Sequence, residues 1–191
     1  MAAARRLLEE EGPEALTMRR LAGRLGIKAP SLYKHLPDKT ALQAAIIATG
    51  LEEAATTFEA AVATAPPAGG APPAGGVTPA GGVTPVGGGA PAGGGGAALR
   101  ALVAAYREFA LAHPHLYRLM HDGPLPRQHL PAGVEDRAAA PLLRVAGSRA
   151  RARAIWAFAH GMVMLELDQR FPADADLDAA WEAGIAAFQT R

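Results

Sequence analysis

The sequence predicts an all-α fold of about nine helices, divided into a small N-terminal head and a larger body. Half of the residues are hydrophobic, and alanine, the strongest helix former, supplies much of that half. Aromatic residues make up only 5% of the chain, and Val, Ile and Thr are also sparse, which disfavours a large sheet. Apolar residues recur at helical spacing between Gly and Pro breaks, so the helices can be placed in order.

The first two predicted helices are short. Residues 2–11 favour helix, and the Gly-Pro pair that follows them ends the segment. Thr17 is a good N-cap for a second helix that runs to Leu25. Gly26 then supplies the positive φ that a sharp turn requires.

The next two helices also begin at recognisable residues. Pro30 suits the first turn of a helix over residues 29–35, and Pro37 ends that helix. Asp38 is the N-cap of a longer helix. The apolar positions that this longer helix carries at helical spacing are Leu42, Ile46, Ile47, Leu51 and Phe58.

Residues 65–97 differ from the rest of the chain. Gly and Pro make up most of this segment, which has no charged and no aromatic residue. Nothing in it offsets the entropy cost of ordering, so we interpret it as disordered. Composition alone allows either a linker between two domains or an insertion within one.

Five more helices are predicted after this segment. The first carries an apolar stripe and ends at the His-Pro pair of residues 113–114, where a short helix begins. Residues 133–146 form another helix. Residues 149–170 are apolar on two faces and therefore need two packing partners, and a last helix spans about 175–190.

Residues 17–42 carry the strongest functional signal. A short helix, a turn with Gly and a second short helix have the form of a helix-turn-helix. The segment 17–40 contains one acid, Asp38, and six basic residues, Arg19, Arg20, Arg24, Lys28, Lys34 and Lys39. This excess suits DNA phosphates, although a solvated helical face would have the same composition.

The side chains of this segment divide into two candidate roles. The second helix of such a motif enters the major groove, where Lys34 suits guanine acceptors and the Ala-Pro pair before Ser31 suits a thymine methyl group. The candidates for contact with bases are Arg19, Lys28, Ala29, Pro30, Ser31 and Lys34. The candidates for contact with phosphates are Thr17, Tyr33, His35 and Lys39.

The segment resembles the N-terminal domain of the TetR/AcrR family of transcriptional regulators. The residues that match the family pattern are Thr17, Leu21-Ala22, Leu25-Gly26, Leu32-Tyr33-Lys34-His35, Lys39 and Leu42. The resemblance covers about residues 2–50 and implies that Leu21, Ala22, Leu25 and Leu32 form the core of the head. Family members usually carry a longer, often basic segment before the first helix. An upstream start or a head with fewer phosphate contacts is therefore expected.

The C-terminal half resembles the same family more thinly. Residues 113–120 are similar to the junction between the fifth and sixth helices. Trp156, His160 and Gly161 resemble the signature of one C-terminal subfamily, the WHG domain. On this alignment the Gly/Pro segment is an insertion within a ligand-binding and dimerisation domain of residues 47–191, which follows a DNA-binding domain of residues 1–46.

The resemblance implies a small-molecule pocket among the helices of the body. The candidate lining residues are Tyr106, Phe109, Tyr117, Met120, Trp156, His160 and Met164. Methionine and aromatic side chains suit an apolar ligand of variable shape. Ordinary core packing is the alternative for each of them, and His160 would then be a histidine bonded within the core.

Other functional classes have little support. The chain has no cysteine, which excludes disulfides and thiolate zinc sites. The candidate metal ligands are His113, His115, His121 and His129, and they lack the i, i+4 spacing of ligands on one helix, so we expect no metal. No nucleotide-binding or nucleophile motif occurs, so we also expect no cofactor and no enzyme activity. There is neither a membrane-length apolar run nor a secretory signal, which predicts a cytoplasmic location.

Together these observations predict a ligand-responsive repressor that binds a pseudo-palindromic double-stranded DNA operator as a homodimer. The last two long helices would pair with those of the second copy in a four-helix interface. The alternatives are a DNA-binding protein that needs no ligand and a helical small-molecule-binding protein that does not bind DNA.

Overall fold

The computed structural model describes residues 1–66 and 94–189, which contain nine α-helices and no β-strand. The helices are α1 (Ala2–Glu11), α2 (Met18–Arg24), α3 (Ala29–Tyr33), α4 (Lys39–Thr64), α5 (Gly94–Ala112), α6 (Pro114–His121), α7 (Val134–Ala146), α8 (Arg149–Leu167) and α9 (Leu177–Ala187). Short 3-10 turns lie at Pro13–Ala15 and Arg127–His129. The all-α prediction is confirmed.

Side-chain caps determine where several helices begin. Thr17 Oγ1 accepts a hydrogen bond from the backbone N–H of Arg20 at 3.2 Å. Asp38 Oδ1 accepts one from the third residue of α4 at 2.7 Å. Ser148 and Asp176 cap α8 and α9 in the same way. Each cap satisfies a backbone donor that the helix leaves unpaired, which typically stabilises a helix by about 1 kcal/mol.

The core of the head differs from the expectation at one position. Leu21 and Leu32 are buried, as expected. Leu25 was expected in the same core, and this expectation is wrong because its side chain is 45% exposed. Helix α2 ends at Arg24, so Leu25 already belongs to the turn that contains Gly26 at φ 65°. That turn directs Leu25 away from the core.

The Gly/Pro segment lies largely outside the described residues, which leave out 67–93. Its predicted end at residue 97 is too late, because α5 begins at Gly94. The first turn of α5 has a tertiary partner that the local sequence does not reveal. Gln189 Nε2 donates a hydrogen bond to the carbonyl of Gly96 at 3.3 Å.

One core cluster extends from the head into the body. Leu7 and Leu8 of α1 and Leu42 of α4 are buried in it together with Phe109 of α5 and Leu116 of α6. Burial of each such side chain stabilises the fold by roughly 1.5–3 kcal/mol. The head is therefore packed against α5 and α6 as well as being joined to the body through α4.

A second core cluster lies within the body. It contains buried residues from α5, α6, α8 and α9, among them Val103, Tyr117, Ile155 and Trp181. Leu116 belongs to the first cluster and the next residue, Tyr117, belongs to the second. Helix α6 consequently lies between the two cores and contacts both.

The sequence predicts two apolar faces on α8, one with Ile155 and Leu165 and one with Trp156 and Val163, and each of them has both a buried and an exposed side chain. Ile155 and Val163 are buried against the body. Two other apolar side chains of α8 stay exposed, Trp156 at 47% and Leu165 at 42%, and their separation of nine residues places them on different sides of the helix. Helix α9 packs closely on α8 because Gly184 leaves room for the ring of Phe158. A Cβ atom added at Gly184 would lie 2.0 Å from that ring.

Candidate functional site

The head presents most of its predicted DNA-contacting side chains to solvent. Helix α3 is anchored by Leu32, which is buried. The exposed candidates are Arg19, Lys28, Pro30, Ser31, Tyr33, Lys34, His35 and Lys39. Thr17 and Ala29 are half-buried, because Thr17 caps α2 and Ala29 packs against the head core.

The six cations of the motif divide into two groups. Arg20 pairs with Glu11, and Arg24 pairs with both Glu10 and Glu11, so these two arginines attach α2 to α1. Within residues 1–66 and 94–189 the other four make no ion pair, and they are Arg19, Lys28, Lys34 and Lys39. Part of the charge excess seen in the sequence is therefore structural, and the remainder is available for phosphates.

Tyr33 lies at the end of α3 with its side chain 50% exposed. Leu25 and Ile27 in the preceding turn are also more than two-fifths exposed, at 45% and 43%. A half-exposed tyrosine near unpaired cations has its hydroxyl available for a phosphate oxygen. This exposure is not that of an ordinary core residue.

The body contains a cluster of aromatic side chains from three helices, which we call the aromatic cluster: Tyr106 of α5, Tyr117 and His121 of α6, and Trp156 and His160 of α8. The hydroxyl oxygens of Tyr106 and Tyr117 lie 2.7 Å apart. The Tyr117 hydroxyl lies 2.7 Å from Nδ1 of His160. A continuous chain of hydrogen bonds thus connects α5, α6 and α8.

His121 completes the aromatic cluster. Its Nδ1 donates a hydrogen bond to the backbone carbonyl of Tyr117 at 2.8 Å, which places the N–H on Nδ1 because a carbonyl can only accept. Its ring stacks on that of His160 with 4.8 Å between the centroids. Sequence reasoning considered His121 only as a metal ligand. Its position four residues after Tyr117 on one helix could have indicated this contact.

Burial keeps the aromatic cluster uncharged at neutral pH. It raises the pKa of Tyr106 to about 12 and raises the pKa of Tyr117 as well. Burial also lowers the pKa of His121 and of His160 below the ordinary value of histidine. The cluster therefore offers hydroxyl, imidazole and indole groups without a net charge.

The other predicted ligand-contacting residues lie in different surroundings. Met164 packs against the same body core as the aromatic cluster. Phe109 and Met120 lie in the core that the head shares with the body. There Phe109 contacts Phe58, with 6.1 Å between the ring centroids. The structure thus brings together Tyr106, Tyr117, Trp156 and His160, but not Phe109 and Met120.

Two further expectations concern a metal-binding site and a membrane-spanning helix. Among the residues that the structure describes, no group of three or more His, Asp or Glu side chains is arranged to hold a metal ion. In that same part of the chain, none of the helices combines the length and the hydropathy of a membrane span.

Comparison with protein families agrees with this architecture. The family described as bacterial regulatory proteins of the tetR family matches residues 1–46. The family described as the tetracyclin repressor-like C-terminal domain matches residues 99–188. No curated protein matches the sequence. The chain is a helical DNA-binding transcriptional regulator. More particularly, it carries a TetR family N-terminal DNA-binding domain and a TetR-like C-terminal domain.

Solved structures share the fold along nearly the whole chain. A protein of unknown function from Rhodococcus sp. RHA1 is 23% identical with a TM-score of 0.72, and the match covers 98% of this chain and 90% of that one. A TetR variant from Acinetobacter baumannii AYE, in complex with minocycline, is 22% identical with a TM-score of 0.60 and coverage of 98% and 90%. A possible TetR family transcriptional regulator from Streptomyces coelicolor A3(2) is 20% identical with a TM-score of 0.60 and coverage of 98% and 94%.

Proposed function

We propose that this regulator is a ligand-responsive repressor that binds a pseudo-palindromic operator as a homodimer. The observation that carries the proposal is a set of four unpaired cations: Arg19 on α2, Lys28 and Lys34 at the two ends of α3, and Lys39 at the start of α4. They surround a short, exposed helix that is suited to the major groove. We assign base contacts to Arg19, Lys28, Ala29, Pro30, Ser31 and Lys34. We assign phosphate contacts to Thr17, Tyr33, His35 and Lys39.

The aromatic cluster is the proposed site of the effector. Its uncharged hydroxyl and imidazole groups lie beside a partly exposed Trp156, which suits a largely apolar molecule with a polar group. Trp156 and His160 both belong to this cluster. Their position supports the assignment of the body to the WHG type.

A second copy of the chain is the proposed partner of α8 and α9. Leu165 of α8 is 42% exposed, and an apolar side chain that one subunit leaves uncovered on a long helix suits packing against a second copy. A twofold interface here would present two heads to the two halves of one operator. The regulator would act in the cytoplasm, without enzyme activity.

The test of DNA binding is selection of bound fragments from the protein's own genome, beginning with the region that flanks its gene. The selected duplex is then titrated with the full chain at several salt concentrations. We expect affinity to fall steeply with salt, because phosphate contacts release counterions. A chain with no affinity for any duplex at low ionic strength would exclude the proposal and favour a helical small-molecule-binding protein.

Two lysine substitutions separate the proposed base and phosphate contacts. Lys34→Ala should cost roughly 1–3 kcal/mol of binding and relax the sequence preference at one base pair. Lys39→Ala should weaken binding to all duplexes alike and reduce the salt slope by about one. Binding to a panel of operator variants measures both effects. Binding that neither substitution changes would contradict these assignments.

One observation favours a second candidate, a DNA-binding protein that needs no ligand. The hydroxyl of Tyr117 is already bonded to both Tyr106 and His160, so both tyrosine hydroxyls and Nδ1 of His160 have partners within the aromatic cluster. A thermal-shift screen of small apolar molecules separates the two candidates. Stabilisation by a compound in the wild-type chain, but not in Tyr117→Phe, would support the ligand-responsive function.

A further inference from the structure

The N-terminal end of α6 lacks a cap from its own segment. His113 occupies the N-cap position without a side-chain hydrogen bond to the helix. Pro114 follows it, and proline has no N–H, so the first donors of this end are those of the next residues. A carboxylate from the head supplies the missing acceptor, because Glu9 Oε1 of α1 accepts a hydrogen bond from the backbone N–H of Leu116 at 3.3 Å.

Ion pairs hold Glu9 in place and extend the contact to α4. Arg5 Nε lies 3.3 Å from Glu9 Oε1, and Arg5 Nη1 lies 3.2 Å from Glu53 Oε2 on α4. Glu53 Oε1 in turn lies 3.4 Å from Nε2 of His113, the residue before α6. At the junction between head and body, consecutive polar contacts therefore connect α1, α4 and the N-terminal end of α6.

Helix α6 is also bonded to the body, through Tyr117, the residue that follows Leu116. The backbone of Leu116 is bonded to the head, and the hydroxyl of Tyr117 is bonded to α5 and α8 within the aromatic cluster. A movement of α6 that changes one of these contacts must therefore act on the other, because an eight-residue helix moves as a unit.

Helix α1 is also attached to the DNA-binding helices by charge. Glu10 and Glu11, which follow Glu9 in sequence, pair with Arg24 and Arg20 of α2. Three consecutive glutamates of α1 thus connect α6 on one side with α2 on the other. A displacement of α1 is passed to α2 through two ion-paired arginines.

We propose that Glu9 is a positioning residue for DNA binding, which caps α6 from the head and makes the orientation of the helix-turn-helix depend on the position of α6. This inference rests on the proposed DNA-binding function. The chain of contacts runs from the aromatic cluster through α6 and Glu9 to α1, and from there to α2.

The cap itself is tested without DNA, by hydrogen exchange of the backbone amides in the full chain. In Glu9→Ala the first turn of α6 should exchange roughly fivefold faster, which is the usual effect of losing a cap. In Glu9→Gln the amide oxygen still accepts, and exchange should stay close to that of the wild type. The control is Glu52→Ala, which removes an exposed pair with Arg137 and leaves α6 untouched. Equal exchange in Glu9→Ala and the wild type would overturn the cap.

The dependence of the head on α6 is tested by a double-mutant cycle on affinity for the selected duplex. Tyr117→Phe removes the hydroxyl that joins α6 to Tyr106 of α5 and His160 of α8, and it should change affinity by roughly fivefold or more, the lower range of allosteric coupling. In the Glu9→Ala background the same change should have less than about a twofold effect. A Tyr117→Phe substitution without effect in the wild type, or effects that simply multiply, would overturn the proposal. Failure of the wild type to bind any duplex would instead contradict the proposed function, and hydrogen exchange would still decide the cap.

Discussion

The stacked imidazoles of His121 and His160 make part of the stability depend on pH. Burial lowers the pKa of both groups in the folded chain, whereas histidine in an unfolded chain titrates near 6.5. Below that pH the unfolded state binds more protons than the folded state. The contribution of the neutral histidine pair to the free energy of unfolding is complete above about pH 6.5. It is lost as the pH falls toward the lower pKa values that the two groups have in the folded chain.

We therefore expect the free energy of unfolding in urea to fall between about pH 7 and about pH 5 more steeply in the wild type than in the double variant His121→Gln/His160→Gln. The exposed His129 provides the control, and His129→Gln should keep the wild-type dependence. Equal pH dependence in the wild type and the double variant would show that the pair does not titrate in this way.

Single residues also show how far sequence reasoning reaches. The burial of Leu21 and Leu32 follows from apolar residues at helical spacing. The exposure of Leu25 does not, because it depends on a helix end one residue earlier than expected. The hydrogen bonds that join Tyr106, Tyr117 and His160 connect three helices, and local periodicity contains no information about such long-range contacts.

At the scale of elements, the attachment of α2 to α1 separates structural cations from those available to DNA. Arg24 is bonded to Glu10 and Glu11, so its positive charge is already paired. Arg24→Ala should leave the slope of log affinity against log salt unchanged, whereas Lys39→Ala should reduce that slope by about one. A reduction of the same size in Arg24→Ala would place that arginine on a phosphate.

The packing of α9 on α8 depends on a glycine. A Cβ atom at Gly184 would lie 2.0 Å from the ring of Phe158, which is itself held between Trp181 and Phe188. Gly184→Ala should therefore destabilise the chain by roughly 1–3 kcal/mol in urea unfolding. Gly161 in α8 has no heavy atom within 4 Å of such a Cβ, so Gly161→Ala is the control and should stabilise the chain by roughly 0.5–1 kcal/mol. Equal stability of the two variants would contradict this packing.

Helix beginnings were more predictable than helix packing. Thr17 and Asp38 have the side chains of N-caps, and the structure shows both hydrogen bonds. The start of α5 at Gly94 was not predicted, since glycine is a poor helix former and its support from Gln189 comes from the other end of the chain. The position of α6 between two cores also depends on tertiary contacts alone.

At the scale of the whole molecule, the proposed homodimer can be tested with two leucines of equal exposure. Leu165 of α8 and Leu111 of α5 are each 42% exposed. Leu165→Glu would bury a charge in the proposed interface and should give a monomer with unchanged helix content. Leu111→Glu lies outside that interface and should remain a dimer. Sedimentation equilibrium distinguishes these outcomes, and a dimeric Leu165→Glu variant would move the interface elsewhere.

Helix α4 has a mechanical consequence for the molecule. It runs without interruption for 26 residues from the head into the body, a length of about 39 Å at the usual rise per residue. A tilt of roughly 5° at one end of such a rod displaces the other end by about 3 Å. Because that distance equals the reach of a hydrogen bond, the stiffness of α4 would set how small a rearrangement of the body releases DNA in the proposed ligand response. Substitutions that make α4 more flexible would reduce the effect of a ligand on DNA affinity while both binding surfaces stay intact.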